Sequence, residues 1–199
     1  GMRELENIEK LMALQPDYMG FIFWAPSSRY VSQPTPKLPD TIKKTGVFVD
    51  ASVDYIQSTI QNHQLKAVQL HGDETPDYCS LIQKFNVEVI KAFSVKDHFD
   101  FTILDAYQKH CDYFLFDTKG ALPGGNGYAF DWSLLNEYPL DKPFFLSGGI
   151  GPEDLQKIKQ LINTPLPLFA IDVNSKFERS PGLKNTNLLN LFKKQLDEF

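Results

Sequence analysis

Short apolar runs alternate with amphipathic stretches along almost the whole chain. The runs "YMGFIFW", "KTGVFVD", "KAVQLHG", "VEVIKAF", "DYFLFD", "PFFLSGG" and "LFAIDV" have strand length and are nearly continuously apolar. Such runs imply strands buried on both faces, as in a parallel sheet covered by helices. Between them lie stretches with helical spacing. Glu4 to Ala13 places Leu5, Ile8, Leu11 and Met12 on one stripe, and "SVDYIQSTIQNH" opens with Ser52 as cap and Asp54 in its first turn. Pro76 to Lys84, Asp97 to Lys109, "FDWSLL", Pro152 to Ile162 and Asn185 to Leu196 complete the helical set. The Pro-rich "SQPTPKLPD" (Ser32 to Asp40) stands where an outer helix is due and reads as a surface connection. No linker or internal repeat interrupts the pattern, so residues 1–199 are expected to form one α/β domain. An open doubly wound sheet would satisfy the order. A (β/α)8 TIM barrel lacking its first strand fits the count of seven strands better.

Composition narrows the partners. At 42% hydrophobic and 23% charged, the 199 residues are ordinary globular material. A net charge of −5 and the lack of any Lys/Arg run argue against nucleic acid, which needs a concentrated basic surface. The longest apolar stretch, Tyr18 to Ala25, is too short to span a bilayer. With "GMRE" at the start and no signal-peptide pattern, a cytoplasmic protein is expected, as monomer or homodimer, with a small phosphorylated molecule as its partner. Cys79 and Cys111 are the only cysteines and have no metal-ligand spacing, so neither a disulfide framework nor a metal is expected.

Polar residues collect where the apolar runs end. Asp50, His71, Asp117, Ser147-Gly148-Gly149 and Asp172 each follow or close a strand. In a parallel barrel those exits share one rim, and that rim carries the active site. Asp50 precedes Ala51-Ser52 and reads as a helix cap without further function, while Asp172 suits either loop orientation or substrate contact. His63, His98 and His110 sit on or beside helices and are expected to be solvated. Gly148 and Gly149 let backbone N–H groups face an anion near a helix start, and Asn174-Ser175 opens the neighbouring loop. Loops in those two positions frequently cradle phosphate. Residue chemistry alone stops at a phosphorylated small molecule.

The ordered set "GFIFWAPSSRYVS", "GVFVD", "VQLHGDE", "VIKAF", "LFDT", "GGNGYAFDW", "LSGGI" and "IDVNSKFERSPGLKN" resembles the motifs of the phosphoribosylanthranilate isomerase family. These are barrels of tryptophan biosynthesis that carry out an Amadori rearrangement without a cofactor. The resemblance implies that Asp117 is the general acid that opens the ribose ring. Such an acid has to hold its proton near neutral pH, and a desolvated strand end favours the neutral form. It further implies that Arg29 faces the anthranilate carboxylate, that His71 and Asp172 line the pocket, and that Gly148, Gly149, Asn174 and Ser175 hold the phosphate. The loop with Gly124, Gly125 and Gly127 would then be a cover over the acid.

Two departures from the family pattern have consequences. Family members read D-V-S-S-G-V-E where this chain reads D-V-N-S-K-F-E, so Lys176 replaces a glycine and must bear any positive φ, unless the loop differs. The family also begins with a strand ending K-[IV]-C-G, whose cysteine is the general base, whereas "GMRE" resembles the residues just after it. Neither cysteine here replaces that base: Cys79 falls on an outer helix, and Cys111 lies about 20 Å from Asp117 along one strand at ~3.3 Å per residue. A chain starting at Gly1 is therefore expected to be inactive, and either to leave a gap beside "MGFIFW" and "LFAIDV" or to close it by drawing those strands together or borrowing a neighbouring chain. A non-catalytic phosphate-binding barrel and another phosphosugar barrel enzyme are the alternatives.

Overall fold

The computed structural model describes residues 1–118 and 130–198; the glycine-rich cover loop falls outside them. Seven parallel strands follow one another in a single curled sheet: β1 (Tyr18–Ile22), β2 (Lys43–Phe48), β3 (Ala67–Leu70), β4 (Glu88–Val95), β5 (Tyr113–Thr118), β6 (Phe144–Leu146) and β7 (Leu168–Ile171). All seven match the apolar runs read from the sequence. The helices α1 (Leu5–Met12), α2 (Val53–His63), α3 (Pro76–Gln83), α4 (Leu155–Ile162) and α5 (Thr186–Asp197) lie around the sheet.

The period of two along each strand sorts its side chains into two cores. Outward residues such as Phe48, Leu70, Val89, Phe114, Phe116 and Phe144 join helix residues Ile8, Ile56, Ile82 and Ile158 in the large cluster. Inward residues Ala67, Ile90, Ala92, Leu115 and Phe145 form a smaller cluster inside the curl. Tyr18, Tyr113 and Phe145 add edge-to-face ring contacts within it, at 5.1 and 5.4 Å between centroids.

Burial on both faces fails at β1 and β7. β1 alternates buried and half-buried residues, β7 has no buried residue, and no ladder joins the two among the described residues. Instead a cavity of about 580 Å³ runs between them, from Leu11 and Phe192 of the outer helices to the C-terminal strand ends. The Met2 amide reaches the β1 edge, donating to the Gly20 carbonyl at 2.8 Å, and the Val31 amide donates to Ile22 at 2.9 Å.

Two helical stretches take 3₁₀ form, and two other local expectations are corrected. The stretch 97–109 forms a 3₁₀ segment, Phe101–Tyr107, and "FDWSLL" forms another, Trp132–Glu137. Each buries two residues three apart, Phe101 with Leu104 and Trp132 with Leu135, a spacing that suits three residues per turn. Asp50 caps no helix: Ser52 caps α2, while Asp50 adopts φ 46° and accepts from the Asp73 amide at 2.7 Å. Of the histidines expected in solvent, only His98 is exposed; the His63 ring lies 4.6 Å from Phe23, and His110 Nδ1 meets Ser80. An antiparallel pair, β8 (Glu178–Ser180) and β9 (Leu183–Lys184), was not anticipated.

Candidate active site

The strand exits of β3, β5, β6 and β7 open into the upper part of the cavity. Gln69, His71, Asp117, Ser147, Gly148 and Gly149 share its wall with Asp172, Asn174 and Ser175. Asp117 is 3% exposed. Its Oδ1 accepts from the Thr118 amide at 2.9 Å, and its Oδ2 lies 3.0 Å from His71 Nε2. On the other side of the imidazole, Nδ1 lies 2.9 Å from Gln69 Oε1. Gln69 and His71 are two apart, so both point inward from β3 and its exit. A buried carboxyl held at both oxygens, with an imidazole as one partner, is built for proton transfer.

Beside this pair stands the glycine turn. Gly148 and Gly149 have φ of 93° and 68°, which only glycine adopts without strain. A Cβ on Gly148 would sit 2.3 Å from Thr118 Oγ1 and 2.8 Å from Asp117 Oδ1, so the turn packs directly on the acid. The following 3₁₀ turn, Pro152–Asp154, is closed by the Gly151 amide donating to Asp154 Oδ2 at 2.9 Å and leads into α4. Asn174 and Ser175 reach the same cavity from β7. Lys176 is not among the residues with positive φ. It sits in a 3₁₀ turn, Ser175–Phe177, where no glycine is required. Its ammonium lies 3.6 Å from Glu153.

Arg29 and the segment after β7 are joined by charge. Arg29 donates to both carboxylate oxygens of Glu178, with Nε at 3.0 Å from each and Nη2 at 2.6 Å from Oε2. Lys184 Nζ binds Glu178 Oε1 at 2.7 Å and also reaches Asn174 Oδ1. Burial opposes a charge on Glu178, but the hydrogen bonds and charges of Arg29 and Lys184 outweigh it and bring its pKa from 4.5 to about 2. Burial is the largest influence on Lys184 and pulls its pKa below the usual lysine range. Arg29 is not on the cavity wall; Lys184 is.

A second buried pair fixes the β2 and β3 exits. Glu74 Oε1 accepts from the amides of Asp50 at 3.0 Å and Gly72 at 3.1 Å. Lys91 on β4 donates to Glu74 at 3.0 Å and to the Gly72 carbonyl at 2.7 Å. Neither cysteine reaches the site, and burial raises the thiols to about 11 at Cys79 and about 12 at Cys111. Gln69, Lys184, Glu178 and the Glu74–Lys91 pair escaped the sequence reading. Gln69 had a signal, a polar residue inside an apolar run two places before His71.

Parallel strands in one curl, with an acid–imidazole pair and a glycine turn at their C-terminal ends, define an α/β barrel of the enzyme type. The family model for N-(5'-phosphoribosyl)anthranilate (PRA) isomerase matches residues 1–195, and the chain belongs to that family. A curated relative of that name from Parabacteroides distasonis is 41% identical, over 98% of this chain and 90% of its own length. The crystal structure of the Thermotoga maritima enzyme superposes with a TM-score of 0.85 at 32% identity, covering 100% of this chain and 96% of the other. A PRA isomerase solved in complex with reduced 1-(o-carboxyphenylamino)-1-deoxyribulose 5-phosphate superposes at 0.81 with 29% identity, covering the same shares. Among the described residues, no helix is long and apolar enough to cross a membrane.

Proposed function

We propose that this site rearranges N-(5'-phosphoribosyl)anthranilate to 1-(o-carboxyphenylamino)-1-deoxyribulose 5-phosphate, an aldose–ketose isomerisation in tryptophan biosynthesis. The observation that carries the reading is the Asp117–His71 pair, buried in the same cavity as the turn of Gly148 and Gly149.

In this reading the phosphate meets backbone N–H groups of Gly148, Gly149, Asn174 and Ser175, where a helix start is also close. Arg29 spends Nε and one Nη2 hydrogen on Glu178, which fixes its plane and leaves other N–H groups for the anthranilate carboxylate. Asp117 gives its proton to the furanose ring oxygen, the C1'–O bond breaks, and an iminium forms between C1' and the anthranilate nitrogen. Loss of the C2' proton then gives the enolamine, which becomes the ketone. His71 and Asp172 line the space around the sugar. The family resemblance assigns proton removal at C2' to a cysteine; Cys79 and Cys111 are buried away from the cavity.

Turnover tests the reading. The enzyme should consume phosphoribosylanthranilate, and Asp117→Asn should slow that turnover by at least about 10²-fold. Near-normal turnover of that variant would remove Asp117 from the mechanism.

A further inference from the structure

We propose that Gln69 is a positioning residue that keeps a transferable proton on the His71–Asp117 pair. The proposal rests on Asp117 being the acid and adds how the acid is kept loaded. Gln69 is 8% exposed and sits mid-strand in β3, registered against Val47 of β2 and Ile90 of β4. Its Oε1 carries no hydrogen, so across the 2.9 Å contact His71 Nδ1 has to be the donor.

That assignment propagates. A neutral imidazole has one N–H; with it on Nδ1, Nε2 presents a lone pair to Asp117 Oδ2 at 3.0 Å. A bare carboxylate facing a lone pair at that distance is repulsive. A proton therefore lies in the bridge, bonded to either oxygen or nitrogen. Asp117 Oδ1 is already occupied by the Thr118 amide, which leaves Oδ2 as the proton-bearing oxygen. Without the acceptor at Gln69, the ring can place its single hydrogen on Nε2 and donate to an ionised Asp117. The pair then holds one proton fewer and has nothing to give the ring oxygen.

Among the described residues, no hydrogen bond or ion pair ties another charged group to His71 or Asp117. Lys91 behind β3 is already paired with Glu74, and Asp50 is bound to the Asp73 amide. Asp172 and Lys184 share the cavity wall, where Lys184 is paired with Glu178. The amide orientation of Gln69 is thus the local control on the tautomer.

The test reads the tautomer directly, on the 199-residue chain labelled with ¹⁵N-histidine. His71, assigned by its loss in His71→Asn, should show a protonated Nδ1. Gln69→Met should move the hydrogen to Nε2, and Gln69→Glu, which keeps an acceptor, should restore Nδ1–H. In the active enzyme, Gln69→Met should lower kcat about ten-fold or more with KM within about two-fold, and Gln69→Glu should recover most of the loss. An unprotonated Nδ1 in the parent chain, or an unchanged tautomer in Gln69→Met, overturns the proposal. If Gln69→Met fails to fold, the parent and Gln69→Glu spectra still decide it. Loss of the acid assignment would appear separately, as full turnover in Asp117→Asn with the tautomers unchanged.

Discussion

Replacing Lys91 by methionine removes the cation that closes the β3–β4 corner beneath the candidate site. Its side chain is 3% exposed and that of Glu74 is 2%, so neither charge can turn to water. In the variant, Glu74 keeps the Asp50 and Gly72 amides but loses its only ion-pair partner among the described residues. The carbonyls of Gly72 and Ala92, which Lys91 binds at 2.7 and 3.0 Å, lose that donor as well. Breaking one half of a buried pair costs about 3–5 kcal/mol. The double variant Lys91→Met/Glu74→Gln is the informative control. Its amide oxygen can still accept from both backbone N–H groups, and no charge is stranded. It should be more stable than Lys91→Met alone by about 1–3 kcal/mol. Urea unfolding followed by circular dichroism gives both differences. A single variant within about 1 kcal/mol of the parent would mean that the pair is open to solvent, contrary to the geometry described here.

Gly148→Ala should destabilise by about 2–5 kcal/mol in thermal unfolding, combining a positive-φ penalty with a Cβ driven against Thr118. A change under about 1 kcal/mol would show that the turn yields freely. Glu178 has a pKa lowered from 4.5 to about 2, so its ionised form stabilises the fold above pH 4.5 and that stability is lost as pH falls toward 2. The shift corresponds to roughly 3 kcal/mol, and Glu178→Gln should flatten the stability profile across that window; an unchanged slope would contradict the ion cluster. Cys79 and Cys111, at about 11 and about 12, should react with a chromogenic disulfide reagent at pH 8 only as fast as the chain unfolds. Rapid labelling of either under native conditions would place a thiol in solvent.

The sequence carried the strands well because each is a continuous apolar run bounded by polar exits. Those exits also made Asp117, His71, Gly148 and Gly149 readable, since a barrel gathers strand ends by construction. What escaped depends on contacts far apart in the chain. Glu178 and Arg29 are 149 residues apart, and Lys184 looks like a surface lysine until Glu178 and Asn174 close over it. Both 3₁₀ segments were read as helical, but their type was not legible, because burial at i and i+3 fits both helical periods when only two apolar residues are involved. Lys176 would have borne strain only if the replaced glycine had a positive φ in the same loop; it lies instead in a 3₁₀ turn without positive φ, which no sequence pattern announced. Asp50 looked like a cap because Ser52 stands two residues beyond it and the structural capping role falls to the serine.

Catalysis at this rim depends on where the phosphate and the sugar sit. A crystal structure of this chain soaked with reduced 1-(o-carboxyphenylamino)-1-deoxyribulose 5-phosphate answers that in one measurement. The phosphate should lie against the amides of Gly148, Gly149, Asn174 and Ser175, the anthranilate carboxylate within reach of Arg29, and a sugar oxygen within hydrogen-bond distance of Asp117. A ligand held at the opposite end of the strands, or one whose sugar lies out of reach of Asp117, would contradict it.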